Sequence, residues 1–281
     1  MSDEFFDDTT VEDISERHIA QVMRLEDTQA DNLVETFTSA KRALLDRLTR
    51  ARAGSFTEQQ LRGTLAQVDI VLSALNQRML GNFKDSTQIL GEAGIEHLIT
   101  EITKFSKKFL GAVVPLNLDA ALIAQNTANF LFNQYESSVK SYTQGLRSRM
   151  VQGLTESVIS QDSFSATVMK IGQFFSGEEW QVNRIARTEL HNMYNKAKMS
   201  GMGDVQENTL PDLKKALWHP MDQRTGKDSI ALAKQNPIVD IDEPFIQHWK
   251  GKKFVFMTPP NRPNDRAILI PYRAAWSKNA G

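Results

Sequence analysis

The chain has 281 residues, with 33 Lys+Arg against 34 Asp+Glu, 41% hydrophobic residues and no cysteine. A chain of this length buries about 75% of the surface its unfolded form exposes, so it needs no staples; without cysteine it holds no disulfide, thiolate zinc site, iron–sulfur centre or Cys nucleophile. The near-zero net charge hides an asymmetry: residues 1–20 carry net −6 and residues 211–281 net +5, a polarity that suits contact with differently charged neighbours at the two ends.

The opening MSDEFFDDTTVEDISER is acidic where a secretory signal is basic and then apolar, and the longest apolar stretch, Leu110 to Ala124, is broken by Pro115, Asn117 and Asp119. These features predict a cytosol-made chain with no membrane span, and residues 1–12 read as an acidic tail. From about Asp13 to Arg52, Met23, Ala30, Phe37 and Leu44 recur every seven residues, with Leu33, Ala40 and Leu48 beside them. That spacing predicts a long amphipathic helix, stopped by Ala53-Gly54. Thr57 with Gln60 is a capping-box pair that opens a second helix, to about Met79. A third follows Asp85, with Ile89, Ile95, Leu98, Ile99, Ile102 and Phe105 on one stripe interrupted by Gly91 and Gly94.

Past Gly111 and Pro115, Asn117 or Asp119 caps a segment whose apolar period runs from Leu122, Ile123, Ala128, Leu131 and Phe132 through Val139, Tyr142, Leu146, Met150, Leu154 and Val158. It predicts one long helix, or two with a kink near Gly145. Ser163 starts a short helix, and Ser176-Gly-Glu-Glu179 reads as a capping box for another, from about Glu178 to Met199, ended by Gly201 and Gly203. Eight of the nine prolines lie beyond residue 204, where Lys253–Met257 and Ala267–Ile270 read as short strands. The expected fold is therefore mainly α: an elongated helical body of long amphipathic helices over 13–160, then a segment 161–281 that is helical to about 203 and ends in a small α+β C-terminal module.

On the helix from Glu178, Val182, Ala186, Leu190, Met193 and Ala197 form an apolar seam; Arg184, Arg187, Thr188, His191, Asn195 and Lys198 share the opposite arc. Glu189 and His191 stand two residues apart, about 200° around a helix, and cannot act together on one atom. The arc reads as ion pairs and hydrogen bonds that brace neighbouring helices. The five histidines, His18, His97, His191, His219 and His248, are dispersed, and no Gly-rich phosphate loop occurs. His219 and Asp222 lack the second ligand run a metal-dependent nuclease needs, so no metal or cofactor is predicted. Asp222 with Arg224 and Thr225 reads as a turn. The Pro-stiffened stretch Thr258–Arg266 leads into the Ala267 strand, so that Asp265 and Arg266 can clasp the Asp222/Arg224 turn. Lys250, Lys252, Lys253, Arg262 and Arg273 are candidates for sequence-blind contact with DNA phosphates.

Three segments in order, Arg184-Ile-Ala-Arg-Thr-Glu-Leu-His-Asn-Met-Tyr-Asn195, then Trp218 with Asp222-Gln-Arg-Thr225, then Pro259-Pro-Asn-Arg-Pro-Asn-Asp-Arg266 running into Ile268-Leu-Ile-Pro271, resemble the phage Mu F-like head morphogenesis proteins, or minor capsid proteins. The similarity spans roughly residues 150–273. It implies a virion component assembled in the host cytoplasm, present in multiple copies around the portal vertex. Its implied partners are the portal protein and the major capsid protein, with packaged double-stranded DNA as a further contact. No settled catalysis is implied, and the chain is expected not to be an enzyme; the alternatives are a sequence-independent DNA-binding or ejected virion protein, or an enzyme, either a metal-dependent nuclease using His219 and Asp222 or a transferase domain of the kind sometimes fused to such proteins. Members often carry His where Arg262 stands, Cys near Asp265, and His after the Arg-Thr element where this chain has Gly226, Lys227 and Asp228. A metal or thiol role would lose its ligands here.

Overall fold

The computed structural model describes residues 5, 8–49, 57–220, 227–233, 235, 237–260 and 265–276. Five long or medium helices come first: α1 (Thr9–Thr49), α2 (Glu58–Leu110), α3 (Ala120–Ile159), α4 (Phe164–Phe175) and α5 (Glu179–Asn208). After them come β1 (Lys214–Trp218), α6 (Lys227–Ala233), β2 (Ile238–Val239), β3 (Phe245–Trp249), β4 (Lys252–Phe256), β5 (Ile268–Tyr272) and a 3-10 turn at Ala274–Trp276. The fold is mainly α with a small C-terminal strand module, as the periodicity predicts.

The chain forms two compact units. Unit 1 takes residues 1–27, 86–131 and 187–281; unit 2 takes 28–85 and 132–186. Helices α1, α2, α3 and α5 each give a segment to both, so no unit boundary falls at 160/161. Residues 1–12 are not simply a tail. Phe5 is fully buried, edge-on to Phe105 and Tyr272, and Asp8 caps α1 by accepting from the Thr10 N–H at 2.9 Å.

In unit 2 the α1 seam Ala30, Leu33, Phe37, Ala40, Leu44 and Leu48 is buried as its seven-residue spacing demands. Phe37 meets Phe175 of α4 and Tyr142 of α3, and Phe83 stacks on Tyr135 with ring centroids 3.5 Å apart. The Thr57 capping box forms: the Thr57 N–H donates to Gln60 Oε1 at 2.8 Å, and the Gln60 N–H returns to Thr57 Oγ1 at 3.3 Å. Ser163 caps α4 through the Ala166 N–H at 3.1 Å. Ser176 does not open α5; its hydroxyl donates backward to the Gly172 carbonyl at 3.1 Å, closing α4.

Two expected breaks are absent. No interruption separates Met79 from Asp85, because Leu75, Met79, Phe83 and Leu90 continue one buried stripe and no proline intervenes. Helix α3 is one long helix through Gly145, one of the two forms expected, again without proline. Helix α5 does not end at Gly201 or Gly203 but runs to Asn208, just ahead of Pro211. In unit 1, Gly91, Gly94 and Gly201 are points of close approach. A Cβ on Gly94 would sit 2.6 Å from the Tyr194 carbonyl oxygen, and one on Gly201 2.7 Å from Ile95 Cδ1. They let α2 and α5 meet around Ile95, Met193 and Ala197, joined by Ile123, Ala124 and Leu131 of α3.

The strand module has two sheets, both in unit 1. The first runs β2-β1-β5, all antiparallel. Pro271, opposite Lys215, sits in β5 on the sheet's edge, where a missing donor is tolerated. The second sheet is the β3–β4 hairpin, closed by Lys250 (φ 48°) and Gly251 (φ 75°), the two left-handed residues of a tight hairpin turn.

Gly94→Ala drives a methyl into backbone and should lower stability by about 1–3 kcal/mol. Gly81→Ala, with nothing within 4 Å of its added Cβ, should raise it by about 0.5–1 kcal/mol. Thermal denaturation of both variants checks the contrast; equal effects would contradict the close approach.

Candidate functional site

From Arg187 onward α5 belongs to unit 1, and Thr188, His191, Asn195 and Lys198 follow the 3-4-3 spacing that keeps one helix face inward. His191, Asn195 and Lys198 are buried. Each meets a specific polar group. His191 Nδ1 lies 2.6 Å from Glu26 Oε1, and Nε2 lies 2.7 Å from the Ala267 carbonyl oxygen. A carbonyl only accepts, so Nε2 carries a proton. Burial works against the charged ring, but the Glu26 carboxylate, the Ala267 carbonyl and the Asp265 charge outweigh it, holding the His191 pKa above the ordinary value. Both ring nitrogens face acceptors, so the protonated ring donates from both and keeps no lone pair for a metal or for general-base work.

Asn195 completes the grip on the strand: its Oδ1 accepts from the Leu269 N–H at 2.8 Å, and its Nδ2 donates to the His191 carbonyl at 3.1 Å. Asp265 Oδ1 accepts from the Ala267 N–H at 3.3 Å, shaping the approach to β5. Arg187 pairs with Asp27 at 2.6 Å, and Arg266 Nη1 lies 3.8 Å from Met23 Sδ. Around these contacts a cavity of about 230 Å³ is lined by Met23, Glu26, Arg187, Thr188, His191, Asp265 and Arg266.

One turn further along α5, Lys198 Nζ lies 2.6 Å from Glu101 Oε1, both side chains fully buried, and His18 Nδ1 reaches the same oxygen at 2.7 Å. The His18 ring stacks on His97 with centroids 3.8 Å apart; His97 in turn contacts the Tyr194 hydroxyl at 2.9 Å and Gln21 Oε1 at 3.1 Å. Burial, with the neighbouring His18 and Lys198 charges, pulls the His97 pKa down to about 2, so this ring stays neutral. Burial also lowers Lys198, against the pull of Glu101, and raises Tyr194.

Of the residues singled out in the sequence, the structure thus gathers Arg187, Thr188, His191, Asp265 and Arg266 around one cavity, with Asn195 bound to β5. Trp218 is buried at the end of β1, opposite Ile268. Arg184 lies in unit 2, its guanidinium 4.7 Å from the Trp180 ring. Glu189 is half-buried, its pKa raised by burial against its bond to Asn192 and the Lys196 charge. Asp222, Arg224, Thr225 and Arg262 lie outside the described residues, and with them the expected clasp to Asp265 and Arg266. Lys250, Lys252 and Lys253 are exposed on the β3–β4 hairpin. Arg273 is engaged, its Nε 2.8 Å from Asp212 Oδ1.

The residues that sequence reading missed are Glu26, His18, His97 and Glu101. Their signal was present: His18 and Glu26 fall on the inward stripe of α1 shared by Val11, Val22 and Ala30, where a polar residue needs a buried partner. Among the described residues no group of three or more His, Asp or Glu is placed to hold a metal ion. No protein-family model matches the chain, nor does any curated protein or solved structure.

Asn195→Ala leaves the buried Leu269 N–H unpaired and should cost about 1–3 kcal/mol in chemical denaturation. Because the folded His191 pKa exceeds the unfolded value of about 6.5, its stabilisation is full below that pH and is lost as pH rises through the folded pKa. His191→Gln should therefore flatten the stability profile on the alkaline side; an unchanged alkaline slope would refute the raised His191 pKa.

Proposed function

We propose that this protein is a minor head protein of a tailed bacteriophage, acting in head assembly at the portal vertex through the portal and major capsid proteins, and without an enzymatic step of its own. The observation that carries this reading is the meeting of two of the three segments behind the resemblance: His191 and Asn195 of the Arg184–Asn195 segment hold the Ala267–Leu269 backbone that follows Asp265-Arg266. Residues scattered over the sequence thereby become one structural joint rather than a catalytic constellation.

Two features favour a structural over a catalytic role for that joint. Both His191 nitrogens are committed to Glu26 and Ala267, and Arg187, at the cavity's rim, pairs with Asp27. Groups neutralised in place brace elements; a catalytic group needs an unshared proton or lone pair. Long helices with apolar stripes supply stiff rods on which such a joint can be mounted.

The test is copurification of the recombinant full chain with its cognate portal protein and with procapsids at physiological salt. Retention on either is expected. Failure to bind both would overturn the proposal.

A further inference from the structure

Two exposed surfaces of unit 1 carry opposite charge. On the β3–β4 hairpin Phe245 and Gln247 turn inward, while Ile246, 45% exposed, stands directly opposite Val255, 57% exposed. Met257, 38% exposed, follows at the next position of the same parity, and exposed His248 opposes Lys253. No acid occurs from Phe245 to Met257, and Lys250, Lys252 and Lys253 crowd the turn. The hairpin is held firmly at its base. Lys215 Nζ donates to the Ile241 carbonyl at 2.9 Å, just before β3, and to the Met257 carbonyl at 3.1 Å, just after β4. The Gln235 amide bonds to both the N–H and the carbonyl of His248. A stiff ribbon thus exposes an apolar cross-strand pair flanked by ammonium groups.

The opposite surface is the start of α1. There Val11, Ile14 and Ser15 face inward, whereas Glu12, Asp13 and Glu16 are exposed; Arg17, also exposed, donates its Nε to the Asp13 carbonyl at 2.9 Å. Among the described residues none of these three carboxylates and none of the three hairpin lysines has an ion-pair partner.

We propose that the chain associates with a second copy of itself head to tail, the lysine-tipped β3–β4 hairpin of one copy docking on the acidic first turns of α1 in the next. Charge complementarity supplies the steering and register. The Ile246/Val255 pair and Met257 favour a protein occupant, since an interface core removes apolar surface from water and a phosphate backbone offers nothing to cover it. Because the two surfaces differ, the contact is heterologous, and repetition closes a ring or extends a filament. The inference does not depend on the head-protein reading.

Sedimentation velocity of the full chain tests it, over a concentration series at about 50 mM and about 500 mM salt, between which the Debye length shrinks roughly threefold. Wild type should self-associate at the lower salt and at least about tenfold more weakly at the higher. K250E/K252E/K253E and E12K/D13K/E16K should each remain monomeric, and an equimolar mixture of the two should restore association. The corresponding glutamine variants repeat the test without new charge, and circular dichroism with unchanged thermal midpoints verifies folding. Monomeric wild type up to about 100 μM, association insensitive to both reversals, or a mixture that fails to associate would overturn the proposal. So would loss of duplex-DNA binding in the hairpin variant with its self-association intact, which would assign the lysines to phosphate.

Discussion

The arrangement of unit 1 rests on two buried polar rungs between α1 and α5. At one, His18 and Lys198 converge on the same oxygen of Glu101 from α2; at the other, Glu26 holds His191. Eight residues separate the two positions on α1 and seven separate those on α5, about 12 Å and about 10.5 Å of helix. Rising residue number on α1 meets falling number on α5, so the rungs define an antiparallel pair and fix its axial register. Their net contribution to stability is small, because drawing two charges out of water costs several kcal/mol per ion. Their effect is selective: sliding either helix by one residue would strand a charge, at about 3–5 kcal/mol.

That selectivity explains why the joint between α5 and β5 is so closely specified. An apolar seam such as Ile95, Met193 and Ala197 accepts neighbouring registers with modest loss, whereas an imidazolium between a carboxylate and a carbonyl accepts one. With α5 fixed, the His191 and Asn195 side chains present a donor to Ala267 and an acceptor to Leu269 at strand spacing, and β5 carries β1 with it through five paired positions. The order of dependence runs from charge, to helix register, to strand placement.

Much of this fold was legible because apolar period is a local property. The α1 seam, the Thr57 box, the Ser163 cap and the helix through Val139 and Leu154 all follow from spacing within a few turns. Glycine is harder to read for the opposite reason. Gly201 looks like a helix stop and Gly91 and Gly94 like gaps in an apolar stripe, and only the approach of Ile95, Met193 and Tyr194 shows all three to be clearances. The polar arc on α5 was visible, but its partners Glu26 and Glu101 lie 165 and 97 residues away from His191 and Lys198, beyond any local pattern. Strands β1 and β3 escaped notice because Lys-Lys-Ala-Leu-Trp and Phe-Ile-Gln-His-Trp place lysine, glutamine and histidine where a strand reader looks for alternation.

Lys215 shows how far such a residue can depart from its composition. Its side chain is buried, with two carbonyl oxygens and the Phe245 ring around it and burial lowering its pKa to about 8. An ammonium has three donors and a neutral amine two, so either form can satisfy both the Ile241 and Met257 carbonyls. Titration near that pH changes the attraction to the aromatic face but leaves the hydrogen bonds possible. The His191 joint lacks this tolerance, since loss of one proton turns a donor toward Glu26 into an acceptor facing a carboxylate. The hairpin base is therefore insulated from alkaline pH by the surplus of donors on a lysine, while the α5–β5 joint is exposed to it by the exact match of a histidine to its two acceptors.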